Sequence, residues 1–136
     1  DLPSSLNNLL TISAYLERED PRDILVCNTD AAVFMNFSYP AVIATGSIRR
    51  KAQWLSKFPS HTIAELRGNV DTRLNKLNEN KWDAAIFAYA GLKRLNIQPH
   101  NYFFPDWMLP APAQGVMAVV CKKSDAATIK IVSEIN

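Results

Sequence analysis

A chain of 136 residues, 48% apolar and 21% charged, has the size and composition of a folded domain with a real core. Lys and Arg number 15 against 13 Asp and Glu, a net charge of +2 that is too small to indicate nucleic-acid binding by bulk charge. No apolar run reaches membrane-spanning length and no signal-peptide pattern is present, so a cytoplasmic location is the default expectation.

Taken in order, residues 1–8 are polar and read as an irregular entry, and 9–16 as a strand. The charged run 17–23 reads as a salt-bridged surface turn in which Pro21 blocks a helix. Residues 24–27 form a second strand, and 31–35 could be either a short helix or a turn. Strand and helix then alternate: strand 41–44, helix 47–58, strand 61–66, helix 69–78, strand 84–88 and helix 90–95. That alternation predicts an α/β fold with a largely parallel sheet flanked by helices. The Pro- and aromatic-rich stretch 98–112 reads as a loop packed on the domain. A strand over 116–121 and a last helix capped by Ser124 complete the chain. Cys27 and Cys121 lie in apolar, strand-like contexts without metal-ligand spacing, and read as buried thiols. His61 and His100 have no partner at catalytic spacing and read as surface or loop residues, and Lys93 and Arg94 as cations suited to a helix C-terminus.

Two strand-to-helix junctions stand out. At the first, Thr45-Gly46-Ser47 makes the turn and cap, and Arg49 and Arg50 follow in the first helical turn. Cations there oppose the helix dipole, a local rule broken in a way that an anion would reverse. At the second, Arg67 closes a strand, Gly68 turns, Asn69 caps, and Arg73 lies one turn into the helix. Helix starts present N–H groups to anions, and Arg can grip a carboxylate or phosphate bidentately. In such sheets ligands sit beyond the carboxyl ends of the strands, where both junctions fall. The pattern predicts a site for a ligand with more than one acid group.

The runs Glu17-Arg18-Glu19-Asp20-Pro21-Arg22-Asp23, Ser47-Ile48-Arg49-Arg50-Lys51-Ala52-Gln53, Arg67-Gly68-Asn69-Val70-Asp71-Thr72-Arg73-Leu74, Asp83-Ala84-Ala85-Ile86 with Ala90-Gly91-Leu92-Lys93-Arg94-Leu95, and Leu109-Pro110-Ala111-Pro112-Ala113-Gln114-Gly115 occur in order. The series resembles the hydroxymethylbilane synthases, or porphobilinogen deaminases, across nearly the whole chain. These enzymes condense four porphobilinogen molecules into linear hydroxymethylbilane, releasing ammonia at each step. The resemblance implies a periplasmic-binding-protein-like (type II) lobe. It places residues 1–15 at the end of a first-domain segment and crossing, 16–113 in a central second domain, and 114–136 in a return to the first domain. It also implies a fragment, inactive alone, of a three-domain enzyme that is monomeric at full length. A dipyrromethane cofactor would be attached to a cysteine that is neither Cys27 nor Cys121.

By the same resemblance Asp1 is the catalytic carboxylate. Thr45, Ser47, Arg49, Arg50, Arg67, Gly68, Arg73, Ala88 and Gln114 would contact the acid-bearing cofactor and substrate, and no metal is implied. This sequence departs from the family in having Ala44 for glycine, Gly46 for serine, Tyr89 for a smaller residue, Pro112 for valine and Ala113 for glycine. A stiffened crossing is the expected result of the last two. The competing readings are a non-catalytic module for a small dicarboxylate or phosphate, and nucleic-acid binding through the arginines; the second lacks a basic stripe.

Overall fold

A computed structural model describes residues 2–3 and 5–135. The chain divides into two compact units, one of residues 20–114 and one of 1–19 with 115–136.

The larger unit holds five strands: β2 (Asp23–Cys27), β3 (Val42–Ala44), β4 (Thr62–Ala64), β5 (Ala84–Ala88) and β6 (Tyr102–Phe103). They form one sheet in the order β4-β3-β5-β2-β6. β3 pairs in parallel with both β4 and β5, whereas β2 runs antiparallel to β5 and β6. Four strands therefore point one way and β2 alone runs against them. The α/β expectation holds with that one reversal. β6 lies within the stretch read as loop, because two residues are too few to show a period.

The helices of this unit are α1 (Ala31–Phe34), α2 (Ile48–Lys57), α3 (Val70–Glu79) and α4 (Tyr89–Arg94). The strand side chains alternate between two cores. Leu25, Cys27, Ile43, Ala84 and Ile86 face one core with Phe34 of α1 and with Trp54 and Phe58 at the end of α2. Ile24, Val26, Ala44, Ala85 and Phe87 face the other, with Leu66, Leu77 of α3 and Leu92 of α4. Burial on both faces is why β2 and β5 read as unbroken apolar runs rather than alternating ones. Trp107 packs against the first core, its ring centroid 5.6 Å from that of Trp54, so the aromatic stretch does cover the domain.

His61 is no surface residue, being only 5% exposed. It stacks on Phe58 and accepts a hydrogen bond at Nδ1 from Trp54 Nε1, 3.1 Å away. The His100 side chain is exposed.

In the smaller unit β1 (Leu10–Tyr15) pairs antiparallel with β7 (Ala118–Lys122), with a bulge between Ile12 and Ala14, and α5 (Ala126–Ser133) follows. Asp125, not Ser124, caps α5: its carboxylate accepts from the Thr128 backbone N–H at 3.0 Å. No residue of α5 is buried, and Ile131 is 68% exposed. Among the described residues no helix is long and apolar enough to cross a membrane.

Candidate functional site

The carboxyl ends of β3, β4 and β5 and the beginning of β2 meet at one edge of the sheet, because β2 runs opposite to its neighbours. At the first junction Thr45 is 2% exposed, donates its N–H to the Ala64 carbonyl and accepts from Ser47 N at Oγ1, 3.2 Å away. Ser47 caps α2 by accepting the Arg50 N–H. Gly46 is required by close approach: a Cβ there would stand 2.5 Å from the Leu66 carbonyl oxygen and 3.2 Å from Arg67 Nε. The Arg67 side chain therefore lies against the turn that opens α2, and the two junctions adjoin.

At the second junction Asn69 caps α3 by accepting the Thr72 N–H at 2.8 Å. Gly68 holds φ at +118°, where a side chain is strained and would also meet Thr72. Arg73 donates from Nε to the Gly68 carbonyl at 2.7 Å, which turns its guanidinium back toward the helix start. Arg67 is exposed and pairs with Glu65, also exposed.

The feature that the sequence did not signal is Asp23. It stands at the first position of β2, its side chain fully buried, where a surface turn was expected. Arg50 donates to its Oδ1 from Nε at 3.0 Å and from Nη2 at 2.8 Å, and Gln114 Nε2 donates to the same oxygen at 2.8 Å. Arg49 Nη1 lies 2.8 Å from Oδ2 as an ion pair, yet without the alignment of a hydrogen bond. Arg49 also donates to Gln114 Oε1 at 3.2 Å and to the Leu109 carbonyl. Gln114 Nε2 reaches the Pro21 carbonyl at 2.7 Å, and Ala88 is the register partner of Asp23 across β2 and β5.

Arg49, Arg50, Ala88 and Gln114 thus gather around one buried carboxylate, Thr45 and Ser47 form the turn and cap from which both arginines start, and Arg67, Gly68 and Arg73 stand on the adjoining junction. Asp1 lies outside the described residues. The signal that could have revealed Asp23 is the dipole mismatch itself, since a cation in the first turn of α2 calls for a counter-charge near by.

Burial pushes the Arg50 pKa down, Asp23 opposes this, and the charges of Arg49 and Arg73 push it further down. Three guanidiniums thus share one neighbourhood with a single buried acid, an arrangement that attracts further negative charge. Cys27, buried in β2, has its thiol pushed up to about 12 by burial and is unsuited to act as a nucleophile. Among the described residues no group of three or more His, Cys, Asp or Glu is placed to hold a metal.

Residues 1–130 match the family described as porphobilinogen deaminase, dipyromethane cofactor binding domain. The porphobilinogen deaminase of Rickettsia prowazekii is 43% identical over 139 residues, covering 100% of this chain and 46% of the relative. That of Syntrophomonas wolfei is 39% identical over 138 residues, covering 100% and 45%. The chain spans about half the length of the curated relatives it matches. Among solved structures, a Salmonella typhimurium periplasmic binding protein with high arginine specificity aligns at TM-score 0.51 and 11% identity, over 90% of this chain and 56% of that one. A Brucella ovis periplasmic binding protein with glutathione bound aligns at TM-score 0.51 and 13% identity, over 92% and 40%. At such identity these two speak for the fold alone, the periplasmic-binding-protein lobe. The match over nearly the entire length, on a fold whose arginines converge at one sheet edge, means that this chain belongs to the porphobilinogen deaminase family.

Proposed function

We propose that the carboxyl edge of the larger unit is the acid-binding face of a hydroxymethylbilane synthase, the enzyme that condenses four porphobilinogen molecules and releases ammonia at each step. One observation carries this reading: Arg49, Arg50, Arg67 and Arg73 stand on two adjoining helix starts at a single sheet edge. Each pyrrole ring brings an acetate and a propionate, so a growing chain of rings presents carboxylates in pairs. Guanidiniums and backbone N–H groups on a rigid sheet edge would hold those acids and position the rings for attack.

The donor set fits a dipyrromethane cofactor on the same grounds. Arg67, Arg73 and the N–H groups after Ser47 and Asn69 would hold its acid side chains, while the cofactor when bound supplies the primer onto which rings are added. Gln114 and Ala88, beside Asp23, would flank the rings. Asp1 is the carboxylate that stabilises positive charge developing as ammonia leaves. Residues 1–15 and 114–136 belong in this reading to the neighbouring first domain, and a third domain of the same monomeric enzyme supplies the attachment cysteine. Both cysteines of this chain are free and buried, as suits the reducing cytoplasm.

Calorimetric titration with porphobilinogen tests the reading. Binding heat with the unaltered chain that disappears in Arg67→Ala and Arg73→Ala supports it. Heat that survives both substitutions would place the acids elsewhere and overturn it.

A further inference from the structure

We propose that Asp23 is a specificity-determining residue of this site: an internal carboxylate that already engages Arg49 and Arg50, so that only an acid able to reach a further cation in the same encounter takes Arg49 from it. The inference rests on the acid-binding reading of the carboxyl edge and adds a selection rule to it.

The two arginines are held differently. Arg50 is committed, its side chain 10% exposed, with Nε and Nη2 on Asp23 Oδ1 and Nη1 near the Ile86 carbonyl at 3.4 Å. Pulling it out would leave a fully buried carboxylate with only Gln114 and the unaligned Arg49, which is strongly unfavourable. Arg49 is the exchangeable partner. Its side chain is 26% exposed, and its contact with Oδ2 is charge at 2.8 Å without hydrogen-bond alignment. When Arg49 leaves, Arg50 and Gln114 still satisfy Asp23 at Oδ1.

A lone carboxylate drawing Arg49 away replaces its ion pair with Asp23 by another, must also compete with its hydrogen bonds to Gln114 Oε1 and the Leu109 carbonyl, and loses its own translational freedom in doing so. An acid that also reaches Arg67 gains a second pair for the same loss of freedom, and the second contact forms at high effective concentration. Arg67 is suitably placed, lying against Gly46 three residues before Arg49, and its hold on exposed Glu65 is weak in water. Asp23 therefore sets a threshold: one acid group is not enough, two or more are. Without it the edge would hold small ubiquitous anions and lose its preference for ring-bearing polyacids.

The test compares the unaltered chain with Asp23→Asn, using acetate, propane-1,2,3-tricarboxylate and porphobilinogen as probes, read by thermal shift and by the guanidinium N–H resonances. The unaltered chain is expected to respond to the two polyacids and to ignore acetate at equal concentration. In Asp23→Asn the affinity for acetate should rise about tenfold or more, the effect of removing one counter-charge beside Arg49. An Asp23→Asn protein that discriminates as the unaltered chain does overturns the proposal, as does acetate shifting Arg49 in the unaltered chain. Should Asp23→Asn fail to fold, the unaltered chain still decides. Saturation with tricarboxylate must move the Arg49 signals and leave those of Arg50 in place, and any other pattern overturns the exchange. If porphobilinogen alone fails to bind while Asp23→Asn gains acetate, the selection rule stands and the substrate reading falls.

Discussion

Asp23 and Arg50, 27 residues apart, hold each other through two hydrogen bonds to one oxygen, from Nε at 3.0 Å and Nη2 at 2.8 Å, in a place where neither has more than marginal access to water. The pair ties the first residue of β2 to the first turn of α2, across the edge of the sheet that carries the arginines. Removing Arg50 leaves the buried Asp23 with only Arg49 and Gln114, and removing Asp23 takes the counter-charge from a nearly buried guanidinium, a loss of up to about 3–5 kcal/mol. Asp23→Ala and Arg50→Met are each expected to lose stability on that scale, and the double variant less than the sum. Chemical denaturation of the four proteins in a mutant cycle checks this. Strictly additive losses would mean that the pair is not the unit that holds β2 to α2.

Much of this edge was legible in the sequence, and the reason is local chemistry. Ser47 and Asn69 cap helices as their residue types require, and Gly68 takes the positive φ of a tight turn. Asp23 was hidden because it closes a run of charges, residues 17–23, whose earlier members do behave as a solvated turn. Arg22 and Asp20, for example, form an exposed pair at 2.7 Å. Only a partner far along the chain distinguishes Asp23 from its neighbours. The reversal of β2 is equally invisible, since side-chain period is the same for a strand running either way. The local context of His61, one residue from an exposed Ser60, carries no sign of the Trp54 N–H that it satisfies.

That bond gives the fold a pH dependence. Burial depresses the His61 pKa, against weaker opposition from the Asp83 carboxylate and the Tyr39 backbone. A proton on Nδ1 would also face the donor of Trp54. A depressed folded-state pKa means that the unfolded chain binds the proton more tightly, so stability rises with pH through this range. The contribution is complete above the unfolded value of about 6.5 and is lost as pH falls toward the folded value. Melting temperatures between pH 8 and pH 5 should fall more steeply for the unaltered chain than for His61→Gln, which keeps an acceptor but does not titrate. Parallel curves would remove His61 from the acid response.

The crossing at residues 112–115 carries backbone strain. Ala113 sits at φ +57°, a left-handed conformation that costs a residue with a Cβ about 1 kcal/mol or more. Ala113→Gly removes that cost and adds unfolded-state entropy, for a net gain of about 0.5 kcal/mol. Gly115 at φ +91° is the opposite case, since a Cβ there would collide with the Glu19 carbonyl oxygen. Gly115→Ala should lose at least 1 kcal/mol, on the scale of overpacking and backbone strain. Equilibrium denaturation that finds both changes neutral would show that this turn relaxes freely.

Gly46 links stability to the site. A serine at this position would place a Cβ 2.5 Å from the Leu66 carbonyl oxygen, so the two junctions would have to separate. Gly46→Ser is expected to cost about 1–3 kcal/mol by overpacking and to weaken porphobilinogen binding by moving Arg67 away from α2. Calorimetry on the variant checks the second part. Unchanged affinity with reduced stability would show that the spacing of the junctions does not matter to the ligand.

Arg67 should behave as the reverse of Arg50. Its guanidinium is exposed and paired with exposed Glu65, an arrangement that contributes about 0–1 kcal/mol to folding. Both members of the pair are in water, so Arg67→Ala should leave the denaturation midpoint almost unmoved. The ligand, in contrast, loses the cation that gives a polyacid its advantage over a single carboxylate, and porphobilinogen affinity should fall about tenfold or more. Glu65→Gln, which frees the same guanidinium, should raise affinity slightly, and most at low salt where exposed charges are least screened. Measuring both variants at two ionic strengths separates the roles. If Arg67→Ala lost stability as Arg50→Met does, or bound porphobilinogen undiminished, then Arg67 would be part of the scaffold and the acid would be held by Arg73 and the helix starts alone.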